Sequence, residues 1–240
     1  MILYSESIPT EGLLAVKKQI DQNYYTFDYK KLAGILNECD KIEAKYSSWQ
    51  ILYYRGMLHL MMGKIIYNDD GDKAYDHFDS SVSDLDEAYK KHKDPEIAAL
   101  LSSAYGKKSS LSGINAFFLG IKAKNWIYDA HAADTSNPKI FLVAATHLMH
   151  LPGFYGGDKD KAEKYLYKAL ELNKNPEKDK WMLEWAQNAE IYAYLAQLEI
   201  LKENIKKAES YMEKALAAAP DYGFVKIDLR NQLNKLKNDN

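Results

Sequence analysis

Apolar residues recur at three- and four-residue spacing along nearly the whole chain, with polar and charged residues between them. That period places one apolar face along a helix, and no segment shows the strict alternation of a half-buried strand. The pattern predicts eleven helices, at residues 11–23, 28–45, 48–66, 72–92, 95–109, 113–134, 138–150, 159–173, 178–202, 205–219 and 222–237. Their ends carry stop and start chemistry. Asp94-Pro95 and Asn137-Pro138 each put a capping side chain before a proline at the first helical position. Asp72 and Asp158 follow glycines where an N-cap belongs, and Pro152, Gly153, Gly156 and Gly157 interrupt the chain between two helices.

One motif repeats four times: a small residue, a large apolar one four later, and a small one three after that. The copies are Ala74–Phe78–Ser81, Ala123–Ile127–Ala130, Ala162–Leu166–Ala169 and Ala208–Met212–Ala215. These positions share one helix face. Small residues there let a neighbouring helix approach closely while the larger one fills the groove. Leu195-Ala196 precede the last copy and Pro220 follows it. Leu101-Ser102 with Tyr105 forms a similar first-helix fragment, and Gly56 suits a small-residue role in helix 48–66.

This arrangement resembles the tetratricopeptide repeat, which has a Leu–small pair in its first helix, two small residues in its second and a closing proline. The resemblance implies an all-α, right-handed solenoid of antiparallel helix pairs, one repeat domain over 1–240. Residues 1–47 would be a divergent N-terminal pair, 48–220 four degenerate repeats, and 221–240 a C-terminal capping helix. The copies begin 49, 39 and 46 residues apart, against a common period of about 34, and Glu199 stands where the consensus prefers an aromatic. The stretch Gly120 to Leu170, with its Pro152-Gly153-Phe154-Tyr155-Gly156-Gly157-Asp158 loop, is similar to bacterial tetratricopeptide proteins and to the T component of some tripartite periplasmic transporters. The latter resemblance implies a central pore and a partner binding protein.

Charge narrows the function classes. Against 32 basic residues stand 34 acidic ones, which offers no electrostatic case for nucleic acid. No run is apolar enough to span a bilayer, and the first nine residues lack a signal peptide's basic start. The chain therefore reads as cytoplasmic as written, or periplasmic if a signal has been removed. The single cysteine, Cys39, lies beside Leu36 and Ile42 on an apolar face and reads as a buried thiol.

No catalytic set, metal site or cofactor is expected. His147 and His150 with Asp158 and Asp160 could be imagined around a metal, and Asn68 to Asp72 has a calcium loop's composition without its spacing; packing and a capped turn account for them better. In the Gly153–Gly157 loop, Phe154 and Tyr155 are expected to pack beneath the turn, with a ligand-contacting loop of Phe154, Tyr155, Gly156, Gly157 and Asp158 as the other reading. Trp181, Trp185 and Tyr192 fall near one face of helix 178–202, and Tyr24, Tyr25, Phe27 and Tyr29 cluster at a helix junction. The functional expectation is a non-enzymatic scaffold binding an unidentified protein or peptide in a groove, with Tyr53, Arg55 and His59 in one wall and Glu190, Gln197 and Ile200 in another. In the last repeat, Ala193 and Gln197 occupy the positions where the carboxylate clamp of chaperone-binding repeats needs Lys and Asn, which argues against binding a chaperone's C-terminal carboxylate. The alternative is a small-ligand or transporter accessory protein with a pocket at the aromatic residues and the loop.

Overall fold

The structure is a computed structural model that describes residues 10–174 and 179–239. Among these residues every regular element is helical: α1 Thr10–Asn23, α2 Tyr29–Glu43, α3 Trp49–Ile66, α4 Gly71–Lys91, α5 Pro95–Ser110, α6 Ala116–Ala133, α7 Pro138–His150, α8 Lys159–Leu172, α9 Asn188–Leu201, α10 Ile205–Ala218 and α11 Arg230–Asp239. A tight 3₁₀ turn, Gly113–Asn115, leads into α6, and a second, Gly153–Tyr155, precedes α8. A wide π turn, Val225–Leu229, precedes α11.

The caps work largely as the sequence predicts. Asp94 accepts from the Glu96 N–H, Asn137 from Lys139 and Asp158 from Lys161. One cap is displaced: Asp70 rather than Asp72 caps α4, accepting from the Lys73 N–H, so the helix begins at Gly71. A larger correction concerns the expected helix 178–202. Residue 178 lies outside the described residues, and 179–187 form turns and bends. Helix α9 starts only at Asn188, because Ala186 takes a left-handed φ of 57° and Gln187 is extended. Trp181 and Trp185 therefore do not share a helix face with Tyr192.

The chain divides into two compact units. The first comprises the described residues of Met1–Tyr24, Asp28–Trp126 and Asp179–Leu183. Its helices pack in sequence, α2 on α3, α3 on α4 and α4 on α5. Ala74, Phe78 and Ser81 are wholly buried. Gly56 does supply the small residue opposite: a Cβ there would fall 2.5 Å from the Leu85 Cγ, and one at Gly63 would fall 2.5 Å from the Phe78 ring. Three serine hydroxyls then fix the register of neighbouring helices, Ser81 to the Gly56 carbonyl, Ser102 to Ala123 and Ser109 to Ala116, each at 2.7 Å.

The second unit comprises Tyr25–Phe27, the described residues of Ile127–Lys178, and the described residues of Glu184–Asn240. Here α7 packs on α8, α8 on α9 and α9 on α10. The small–large–small sets of α8 and α10 are buried, as are Ile127 and Ala130. One core joins Ala193, Ala196 and Ile200 to Ala208, Met212 and Ala215, and continues through Tyr222, Val225, Leu229 and Leu233. Tyr25 meets Tyr222 edge-on with ring centres 4.7 Å apart, and the Gly223 N–H donates to the Tyr25 carbonyl.

Candidate interaction surface

Within the first unit the expected groove residues lie on α3, and two of the three are tied up by the fold. Tyr53 is wholly buried. Its hydroxyl donates to the Glu96 carboxylate and accepts from the Leu183 N–H at 3.3 Å, which pins segment 179–183 to the helices. The neighbouring Tyr54 hydroxyl, 2.9 Å from the Trp181 carbonyl, does the same. Arg55 is held among three carboxylates, Asp40 at 3.1 Å and Glu43 and Asp84 at 3.6 Å. Burial raises the Asp84 carboxyl to about 6 against the opposing pull of Arg55.

His59 is the most chemically distinctive of the three. Its Nδ1 lies 2.9 Å from the Nδ1 of His77, whose Nε2 is 2.9 Å from the Tyr29 hydroxyl. Burial, then the neighbouring His77, lowers His59 to about 4, and burial lowers His77 too. Both rings are therefore neutral near pH 7, one of them sharing its proton with the other. Among the described residues no group of three or more His, Cys, Asp and Glu is arranged to hold a metal ion. Cys39 is buried as expected, and burial pushes its thiol up to about 12.

Within the second unit Glu190 and Ile200 are buried, and Gln197 is half-buried. Glu190 accepts from the Ala186 N–H at 2.8 Å, closing the bend that starts α9. Burial first, and then the charge of Glu190, holds the hydroxyls of Tyr25, Tyr194 and Tyr222 protonated far above the ordinary tyrosine range. Asp158 caps α8 and Asp160 pairs with Lys202 at 3.2 Å. Trp185 is buried with the Lys139 ammonium 5.6 Å from its ring centre.

The Gly153–Gly157 loop departs from expectation. Phe154 and Tyr155 do not pack beneath the turn. Phe154 is 83% exposed and Tyr155 half exposed, their rings 4.3 Å apart. The glycines explain the geometry: Gly156 takes φ 96°, and a Cβ at Gly157 would collide with the Leu151 carbonyl oxygen 1.8 Å away. The chain turns too tightly for the rings to fold under it.

Among the described residues of the first unit, the most exposed apolar surface lies elsewhere, at positions the sequence pattern did not single out. Ile114, Phe117, Phe118 and Ile121 are 93%, 54%, 66% and 41% exposed. Their spacing of i, i+3, i+4 and i+7 puts them on one face of the turn and helix that begin α6. The opposite side of the same helix is already used: Ala123 is buried, and the backbone at Ala116 and Ala123 takes the α5 serine hydroxyls. A helix apolar on both sides has one side to bury and one to offer. Both sets were readable in the sequence; which of them the fold covers was not.

Two solved structures resemble the chain over nearly its full length. TTC0263, a thermophilic tetratricopeptide protein of Thermus thermophilus, has TM-score 0.65 at 17% identity, covering 93% of this chain and 98% of its own. The HusA haemophore of Porphyromonas gingivalis has TM-score 0.61 at 16% identity, covering 91% and 97%. No protein-family model and no curated protein matches the sequence. At such identity the likeness is one of fold: the chain is a tetratricopeptide-like, all-α helical-repeat protein. Among the described residues no helix is long and apolar enough to cross a membrane.

Proposed function

We propose that the chain is a non-catalytic binding scaffold and that a protein or peptide partner docks on the exposed face of α6. The observation that carries this reading is the row Ile114, Phe117, Phe118 and Ile121, left open on a helix whose other face is packed. Contiguous exposed apolar residues mark interaction sites, and anchors at this spacing belong to the helix-in-groove mode of recognition. Of the groove residues expected from sequence, Arg55 and His59 of the first unit, and separately Gln197 of the second, keep part of their surface. Tyr53, Glu190 and Ile200 act from within. A photo-crosslinking amino acid at position 118 tests the reading in native extract, with the exposed Lys164 position as control. One dominant product from position 118, absent from position 164, is expected; no product at 118 sinks the proposal.

A second reading, a small-ligand or transporter accessory protein, is supported by the exposed Phe154–Tyr155 pair and by the description of HusA as a haemophore. A haem titration followed in the Soret band tests it. A saturable change lost in Phe154→Ala/Tyr155→Ala favours it, and no saturable change ends it.

A further inference from the structure

Resting on the scaffold reading, we infer that the segment docking on the α6 face is an acidic amphipathic helix of another protein. The first argument is shape. The four anchors run along two helical turns, a seam about 10 Å long, which is what a second helix laid alongside would cover.

The second argument is charge. From Ile97 to Tyr128 the chain carries Lys107, Lys108, Lys122 and Lys124 and not one Asp or Glu, although its net charge is −2. At about 100° per residue, Lys122 and Lys124 fall on opposite flanks of the seam, where the e and g positions of a helix pair carry charge. Lys107 and Lys108 stand at the end of α5, which Ser109 ties to the start of α6. Lys108 is engaged by Asp79. The Lys107 and Lys122 ammonium groups lie over the Tyr67 and Tyr105 rings, 5.4 and 5.5 Å from their centres. An apolar seam bordered by lysines complements a helix bordered by carboxylates.

A second copy of this chain fits the seam poorly. Self-pairing sets Lys122 and Lys124 against their own copies.

The test uses the full chain and two fluorescein-labelled synthetic helices about 18 residues long. They share a leucine seam and differ only in Glu or Lys at the flanking positions. The acidic peptide is expected to bind saturably, at least ~10-fold tighter than the basic one and more weakly as salt rises. Phe117→Ser/Phe118→Ser is expected to weaken it at least ~10-fold, and Lys122→Glu/Lys124→Glu to reverse the preference, with unchanged circular dichroism in both. Equal binding of the two peptides overturns the inference, as does binding that survives the serine substitutions. Flotation with vesicles of phosphatidylcholine and phosphatidylglycerol, without peptide binding, also overturns it and assigns the face to lipid. A partner crosslinked at position 118 through a segment that is not an acidic helix defeats this inference and leaves the scaffold reading standing. No crosslink at 118 defeats both.

Discussion

The Tyr53 hydroxyl donates to the carboxylate of Glu96, a bond between two buried side chains 43 residues apart. The same oxygen accepts from the Leu183 N–H, so one phenol joins α3, α5 and the non-helical segment before α9. Tyr53→Phe removes both bonds and leaves a buried carboxylate short of a donor. A loss of about 2 kcal/mol is expected in urea unfolding, with earlier proteolysis within 179–187. An unchanged midpoint would show that water replaces the hydroxyl.

Gly63→Ala puts a methyl group 2.5 Å from the Phe78 ring. On helix propensity alone alanine gains about 1 kcal/mol over glycine, and overpacking costs about 1–3. Because Phe78 is wholly buried, the clash is expected to win and the melting temperature to fall. The same substitution at Gly34, with nothing within 4 Å, is expected to raise it.

Acid stability is expected to depend on His59. Its folded pKa of about 4 lies below the ordinary 6.5, so between these values the unfolded chain binds the proton more readily. Its contribution is therefore complete above pH 6.5 and lost as pH falls towards 4, by up to about 3 kcal/mol. Asp84, raised to about 6, has the opposite sign over pH 3.8 to 6. It favours the fold at the low end and loses that contribution as pH rises. Unfolding from pH 4.5 to 7 should show a shallower acid loss in His59→Gln and a steeper one in Asp84→Asn. Parallel profiles would refute the assignment.

Phe118 differs in kind from these core residues. Because it is two-thirds exposed, Phe118→Ser is expected to change unfolding free energy by less than about 0.5 kcal/mol while abolishing capture at the α6 face. A large stability loss would mean that the ring is covered by the chain itself.

Cys39 tests the buried-thiol reading. With its thiol pushed up to about 12 and no exposed surface, it is expected to react with a disulfide reagent at least ~100-fold slower than in the unfolded chain. Rapid labelling of the native protein would show local opening of α2.

Much of this fold was legible because packing leaves a periodic trace. All twelve positions of the four small–large–small sets are buried, and their spacing alone located them. The segment 179–187 misled because Met182, Leu183 and Trp185 are buried without being helical; apolar spacing reports burial, and secondary structure only through it. The left-handed turn at Ala186 left no glycine to announce it. The candidate site was less legible. Tyr53, Glu190 and Ile200 look like wall residues until their burial is known, whereas the α6 face carries a good helical pattern whose exposure depends on what lies opposite.

The serine bonds between helices have a consequence for how such a chain can change over time. Ser81, Ser102 and Ser109 each address a main-chain carbonyl on the neighbouring helix, and that acceptor is present whatever side chain stands there. The residues opposite are constrained by volume alone, and their identities are free to drift. An architecture keyed in this way tolerates wide change in the side chains that face the serines.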